Sequence, residues 1–197
     1  DSEGADFVGD LEVTNTAGLV TFASAIGGTN DLKAITIGAS TFDSDIKFAA
    51  AVSSQLITVV GGDATTEDST VNFVAAVVAP SMVMTAATSG AISKVSFTAS
   101  AATTAFTGAI TAGTTSGTDT EIHVIDSAAG APALQKITGL VGTSTNRIGL
   151  IAIGEDDGKA GALEFDTDVH ATAMTITSNG GTDEDSYVNF DNAADIT

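Results

Sequence analysis

A four-residue pattern that ends in phenylalanine returns along this chain at a nearly constant spacing. The pattern is any residue, Val or Ile, any residue and Phe, as in Thr70-Val-Asn-Phe73 and Tyr187-Val-Asn-Phe190. In the first half of the chain the intervals between successive phenylalanines are 26, 25 and 24 residues, and Phe165 and Phe190 are again 25 apart. Each copy alternates apolar and polar side chains, as a strand with one buried face does. The spacing therefore predicts an array of repeated units.

A second strand follows most of these Phe strands, so that one unit holds two strands in about 25 residues. Leu56-Ile-Thr-Val59 and Met174-Thr-Ile-Thr177 are examples of this second strand. Turn signals rich in Gly, Ser and Asn separate the strands, and residues that favour helix surfaces are scarce. Between about residues 120 and 160 the phase of the repeat is unclear, although strands can be placed there. Because a two-strand unit cannot bury its own apolar face, we expect the units to stack and share one core.

The predicted fold class is all-β, a β-solenoid (parallel β-helix) built from ~25-residue two-strand repeats, with residues 1–197 as a single domain. The alternative is a β-sandwich, which gives turn signals every ~8 to 12 residues but does not require phenylalanine at a sustained spacing. In a solenoid the recurring rings lie above one another in the core. The predicted core ladder consists of Phe22, Phe48, Phe73, Phe97, Phe165 and Phe190.

Charge and composition exclude several functional classes. The chain has 25 acidic and 6 basic residues and a formal net charge of -19, so it lacks the basic surface with which proteins bind nucleic acid. It has no Cys, which excludes a disulfide scaffold, a thiol enzyme and a zinc-thiolate site. No apolar run approaches the ~18 to 20 residues that span a bilayer, so we expect no membrane insertion. The negative charge indicates, first of all, a well-solvated exposed protein.

Acidic turns are the candidate metal sites, and no catalytic motif accompanies them. Calcium takes about six to eight oxygen ligands, and Asp183, Glu184 and Asp185 are the residues we would assign to Ca2+, although the fold requires no cofactor. Asp166 and Asp168 are two residues apart and would share one face of a strand, and retaining glycosidases use two carboxyl groups ~5 Å apart. However, the chain has one Tyr and no Trp with which to bind sugars, and it lacks a nucleophile elbow and a phosphate loop. The chain is therefore predicted not to be an enzyme.

Both ends of the chain carry part of the repeat. The segment from Phe7 to Thr14 and the segment from Phe190 to Thr197 each contain Phe, a small stretch and an apolar residue before Thr. The chain therefore enters and leaves within a repeat, without the atypical polar cap that solenoids normally have. Either it is cut from a longer array, or its ends stack on neighbouring subunits by strand addition. The predicted polymer joint consists of Phe7, Leu11, Val13, Phe190 and Ile196.

The sequence of the segment from Leu19 to Ile37 resembles the repeats of large bacterial exoproteins. These are filamentous-haemagglutinin-like adhesins and Ala/Thr/Gly-rich surface-layer or extracellular filament proteins. The likeness lies in composition and period and covers most of the chain. It implies a secreted β-helix on the cell surface that serves in adhesion, a coat or a filament.

The function predicted from the repeat, the ends and this resemblance is structural. We expect a subunit of an extracellular microbial filament, surface coat or adhesin stalk, assembling head to tail as a homopolymer through its terminal strands. The cell surface or a glycan is a further expected partner. One alternative is a pilin-like sandwich subunit joined by a donated strand. The other is a polysaccharide-binding or polysaccharide-cleaving β-helix module.

Overall fold

The computed structural model describes residues 9–14, 18–41, 43–62, 68–86, 90–99, 101–113, 119–126, 131–155, 159–178 and 185–191. Within these ranges the chain is almost entirely β-strand and turn. The strands in chain order are β1 (Asp10–Val13), β2 (Leu19–Phe22), β3 (Ala34–Ile37), β4 (Ser44–Phe48), β5 (Val52–Ser53), β6 (Leu56–Gly61), β7 (Ser69–Phe73), β8 (Val77–Ala86), β9 (Ser93–Phe97), β10 (Thr103–Ala112), β11 (Thr120–Val124), β12 (Leu134–Ile137), β13 (Ile148–Ile153), β14 (Ala162–Phe165), β15 (Ala171–Ile176) and β16 (Tyr187–Phe190).

The strands form two parallel sheets between which the chain alternates. Sheet 1 has the order β1-β3-β6-β8-β10-β12-β14-β16, with the short β5 paired to β8, and sheet 2 has the order β2-β4-β7-β9-β11-β13-β15. Each strand inside a sheet's path pairs in parallel with the strand one turn earlier and the strand one turn later, and the six steps from β2 to β15 make about six turns. This arrangement confirms the predicted β-solenoid over the β-sandwich, whose sheets are antiparallel.

The core lies between the two sheets and is filled by every second side chain of each strand. In β6, Ile57 and Val59 are fully buried, while their neighbours Leu56 and Thr58 are partly exposed. The parallel register places like residues above one another, as Val71 of β7 lies beside Ile46 of β4. Each turn therefore buries its apolar face against the turns on both sides, which stabilises a unit too small to have its own core.

The six predicted ladder residues form two stacks on opposite sheets, which corrects the prediction of a single ladder. In sheet 2 the ring centroids of consecutive phenylalanines are 5.0, 5.3 and 5.9 Å apart. The rings of this stack belong to Phe22, Phe48, Phe73 and Phe97. In sheet 1, Phe165 and Phe190 stack at 5.6 Å. Phe22 and Phe190, which end their stacks, are partly exposed, and the other four are buried. Phe106, which the repeat did not single out, is buried 6.2 Å from Phe97.

A half-turn shift of the repeat between β9 and β14 separates the two stacks. Apart from the short β5, a single strand separates consecutive Phe strands from β2 to β9 and again from β14 to β16. Four strands, β10 to β13, separate β9 from β14. Because successive strands alternate between the sheets, this even number moves the Phe strand from sheet 2 to sheet 1. The shift lies in the stretch where the sequence repeat is unclear.

The corners that precede Phe strands have the same construction on both sides of this shift. Ser69 begins β7 and donates a hydrogen bond from Oγ to the carbonyl oxygen of Val60, nine residues earlier. Ser186 immediately precedes β16 and donates a hydrogen bond from Oγ to the carbonyl oxygen of Thr177, also nine residues earlier. Both serines are buried, so the hydroxyls satisfy carbonyl groups that water cannot reach.

A glycine in the left-handed region completes each of these two corners. Gly38 follows β3 with a φ of 82°, and Gly154 follows β13 with a φ of 78°. A Cβ built on Gly38 would overlap the hydroxyl of Ser69, and one built on Gly154 would overlap the hydroxyl of Ser186. The first corner leads from sheet 1 to sheet 2, whereas the second leads from sheet 2 to sheet 1. The C-terminal turns are therefore built like the N-terminal turns but are rotated by half a turn about the solenoid axis.

Candidate functional site: the terminal turns of the solenoid

The strands at the two ends of the solenoid each have one edge that no other described strand pairs with. At the N-terminal end, β1 pairs with β3 and β2 pairs with β4. At the C-terminal end, β15 pairs with β13 and β16 pairs with β14. We call β1 and β2 the N-terminal turn, and β15 and β16 the C-terminal turn. An open edge presents a row of backbone N–H and C=O groups that another strand can pair with.

The predicted joint residues that the structure describes lie on these two turns. Leu11 and Val13 lie on β1, where they pack against the core from its N-terminal end. Phe190 lies on β16 and packs against the core from its C-terminal end. Phe7 and Ile196 lie outside the described residues. One chain does not bring Leu11 and Val13 together with Phe190, so a joint between them requires two copies.

Large apolar side chains that remain exposed are concentrated on the same two turns. Five such residues occur in the described ranges, and four of them lie on β2, β15 and β16. These four are Leu19 (55% exposed), Val20 (36%), Ile176 (47%) and Tyr187 (40%). Val20 is an inward-facing residue, because its partner Ile46 in β4 is fully buried. It is exposed only because no described turn lies beyond it.

The joint predicted from the sequence contains none of these four residues. It consists of the outermost segment at each end, and the described strands of these segments, β1 and β16, belong to sheet 1. Since one turn of the solenoid consists of two strands, the terminal strands of sheet 2 also belong to the end surfaces. The two-strand unit of the repeat is the signal that could have placed the strand around Val20 in the joint.

The predicted calcium ligands are described only in part. Asp185 is exposed and lies just before β16, whereas Asp183 and Glu184 lie outside the described residues. In the part of the chain that the structure describes, no group of three or more His, Asp or Glu side chains is placed to hold a metal ion. Calcium binding at Asp183, Glu184 and Asp185 stays a prediction.

The acidic pair considered for glycoside cleavage does not share the face of a strand. Asp166 and Asp168 lie in the bend after β14, where Asp166 is partly buried and Asp168 is exposed. The Lys136 ammonium lies 2.6 Å from Asp166 Oδ1 and 3.0 Å from Glu164 Oε1. The hydrogen bond to Asp166 is the main cause that raises the pKa of Lys136, followed by the hydrogen bond to Glu164. Asp166 is thus part of an ion-pair cluster on the outer face of sheet 1.

A second polar pair lies on the outer face of sheet 2. His123 faces outward on β11, between the buried Ile122 and Val124, and its Nε2 lies 2.8 Å from Glu121 Oε2. This hydrogen bond lowers the pKa of Glu121, against a smaller opposing effect of burial. The hydrogen bond thus favours the charged form of this carboxylate on a lateral face of the coil.

The same outer face carries a shallow groove that bears on the glycan alternative. Three of the six basic residues line it, namely Lys47, Lys94 and Lys159, together with acidic residues that include Asp126 and Glu155. None of its lining residues is aromatic. The groove therefore offers polar contacts without the flat apolar platform on which a sugar ring stacks.

Because the comparisons with known proteins found no match, a function can be inferred only from the fold and from the two terminal turns. No family model matches the chain, and no similar curated protein or solved structure was found. Among the described residues, no helix has the length and apolar character needed to cross a membrane. The fold and its end surfaces define the class of molecule as a parallel β-solenoid of two-strand turns with open, apolar terminal strands.

Proposed function

We propose that this chain is a structural subunit of an extracellular microbial filament, coat or adhesin stalk, and that it assembles head to tail through its terminal turns. The observation that carries the proposal is that exposed large apolar side chains lie on the very strands whose edges are open. An open strand edge beside apolar surface is a ready site for another strand. A contact between unlike ends of identical subunits does not close on itself, so it propagates into a filament.

The distribution of charge supports association at the ends rather than at the sides. The net charge of -19 opposes contact between lateral surfaces of two copies. Of the four terminal strands, β2, β15 and β16 contain no charged residue, and β1 contains Asp10 and Glu12. Pairing the two ends therefore brings no carboxylate of one terminal strand against a carboxylate of the other, which favours the end-to-end contact over others.

The extracellular location rests on composition and resemblance. A strongly acidic, cysteine-free chain with few cations suits an exposed protein in saline surroundings. The Ala/Thr/Gly-rich repeat resembles those of large bacterial exoproteins. Both observations support a coat or filament outside the cell.

Assembly can be tested by electron microscopy and sedimentation velocity over a range of concentrations. We expect filaments, and species whose mass grows with concentration. The variant Val20→Lys places a charge at an inward position of the N-terminal turn and should block growth while the coil stays folded by far-UV circular dichroism. Val78→Lys is the matched control, because Val78 is 45% exposed but lies on β8, away from both ends. It should assemble like the unmodified chain.

Two results would contradict the proposal. One is a monomer of constant mass at every concentration, and the other is an equal loss of assembly in both lysine variants. Binding of a polysaccharide without any polymerisation would favour the glycan-binding alternative instead.

A further inference from the structure

We propose that successive subunits of this filament are related by about half a turn around the solenoid axis. In this arrangement β1 of one copy pairs with β15 of the preceding copy, and β2 pairs with β16. The inference rests on the head-to-tail assembly proposed above and specifies the partner, a second copy of this chain, and the register of the contact.

The number of described strands requires this rotation if both sheets are to continue across the joint. Among the described residues, sheet 1 has eight strands along its main path and sheet 2 has seven, so the first and last described strands, β1 and β16, both belong to sheet 1. Direct stacking of β1 on β16 would separate β15 from β2 of the next copy by two strand spacings, about 10 Å, with no described strand between them. A half-turn rotation places β1 over β15 and β2 over β16. It also preserves strand direction, because every strand runs in the same sense around the coil and a rotation about the solenoid axis leaves that sense unchanged.

The side chains of β16 and β2 match in this register. β16 is Tyr187-Val-Asn-Phe190 and β2 is Leu19-Val-Thr-Phe22, so both are Phe strands. Their pairing places Phe190 beside Phe22 and Val188 beside Val20 of the next copy. Within the chain, β2 makes the same contact with β4 on its other edge, where two rings stack at 5.0 Å. The joint thus continues an existing phenylalanine stack with the partly exposed ring at each end.

The side chains of β15 and β1 match as well. The segment Ala173-Met-Thr-Ile176 of β15 has the same pattern as Ala34-Ile-Thr-Ile37 of β3, the strand with which β1 already pairs. In the joint, Ile176 would lie beside Val13 and lose its exposure. On the outer face, Glu12 would lie beside Thr175, so that no two acidic side chains meet.

The corner geometry supports the rotation independently of the terminal strands. The corner of Gly154 and Ser186 repeats that of Gly38 and Ser69, but it lies on the opposite side of the coil. The C-terminal turns are therefore already rotated by half a turn relative to the N-terminal turns within one chain. A second copy presents like strands to like strands only when it is rotated by the same amount.

Cysteine cross-linking can determine the register, because the chain has no Cys of its own. Paired residues on neighbouring strands are about 4.8 Å apart, within the Cα separation of about 4.4–6.8 Å that a disulfide bridges. The half-turn register pairs Asn189→Cys with Thr21→Cys, and Thr175→Cys with Glu12→Cys. Direct stacking instead pairs position 189 with position 12 and leaves position 175 about 10 Å from position 21, too far for a disulfide. All four residues are exposed on outer faces of terminal strands.

The experiment uses four double variants of the full chain, oxidised after assembly and separated on non-reducing gels. We expect ladders of disulfide-linked oligomers from N189C/T21C and from T175C/E12C. We expect no ladder from N189C/E12C, from T175C/T21C or from the four single variants, since their cysteines would lie on opposite faces of the filament.

The possible failures are distinguishable. A ladder from N189C/E12C, which direct stacking would give, or polymers that cross-link in neither register would overturn the half-turn arrangement and leave head-to-tail assembly standing. Absence of polymers in the unmodified chain would overturn the proposed function itself.

Helical reconstruction of the filament provides a second measurement. The fifteen alternating strands that the structure describes make seven and a half turns, which at ~4.8 Å per turn is a rise of about 36 Å per subunit. The expected rotation is about half a turn plus the twist of the coil. A rotation near zero with a rise of about 38 Å would indicate direct stacking over eight turns and would overturn the inference.

Discussion

Replacing Phe73 with alanine tests whether the phenylalanine stack holds the solenoid together. The ring is 1% exposed and lies between the rings of Phe48 and Phe97, at centroid distances of 5.3 and 5.9 Å. Removing a buried phenylalanine costs about 3–5 kcal/mol, which includes lost burial and the cavity left behind. Because two stacked ring pairs are lost as well, each adding about 0.5–1.5 kcal/mol, we expect the upper part of that range.

The assay is equilibrium unfolding in urea, below the concentration at which the chain assembles. Far-UV circular dichroism reports on the whole coil, and fluorescence of Tyr187, the one Tyr in a chain without Trp, reports on the C-terminal turn. Where the two transitions coincide, the shift of the midpoint gives the change in the free energy of unfolding.

Phe22→Ala is the matched control for this prediction. The ring of Phe22 is partly exposed and has a single stacked neighbour, Phe48, so its removal should cost about half as much. A loss below about 1 kcal/mol for Phe73→Ala would refute the reasoning. Equal losses in the two variants would also refute it, because the difference depends on burial and on the second neighbouring ring.

Three further substitutions test the corners and the lateral ion pairs. Gly38→Ala should lower stability by about 1–3 kcal/mol in thermal melts, because φ is 82° and the new Cβ would overlap Ser69. Gly28→Ala, at a φ of 99° in open space, should cost less, and equal costs would contradict the corner contact. Because folding lowers the pKa of Glu121, its carboxylate stabilises the folded chain at pH values above its usual pKa near 4.5. This contribution to the free energy of unfolding is lost as the pH falls through the lowered pKa. In Glu121→Gln the free energy of unfolding should therefore fall less steeply as the pH is lowered into the acid range. An unchanged acid dependence would contradict a stabilising role for the Glu121 carboxylate. Lys136→Met should change stability little, because an ion pair at the surface of the sheet is screened by solvent. A marked loss that persists in 1 M salt would contradict a screened surface ion pair.

The class of fold follows from the sequence because its signals are local and repeated. Alternation of apolar and polar residues determines which face of each strand is buried, whatever neighbour the strand meets. A period of 24 to 26 residues with two strands per unit is satisfied by stacking unit on unit. The serine before the Phe strand, as at Ser69 and Ser186, is likewise part of a local corner.

The identity of each strand's neighbour was decided by the tertiary structure. The spacing placed Phe165 in one ladder with Phe97, yet the four strands between β9 and β14 carry it to the other sheet. The order of the described strands also places β1 and β16 on the same sheet. It leaves β2 and β15 at the two ends of the other sheet, so that Val20 and Ile176 belong to the end surfaces. Pairing of Lys136 with Asp166 also depends on which turns lie side by side.

The sequence predicts which side chains are buried but not which strands pair, because burial and strand pairing depend on different parts of the chain. A side chain's face is set by backbone geometry within a few residues, and the sequence contains that information directly. The neighbour across a parallel sheet is set by all the strands and loops in between. The free energy of closing a loop changes only slowly with loop length, so insertions between strands are tolerated and blur the phase of the repeat without showing which strands pair. The half-turn shift is such a change, and it became visible only when the strands were placed in their sheets.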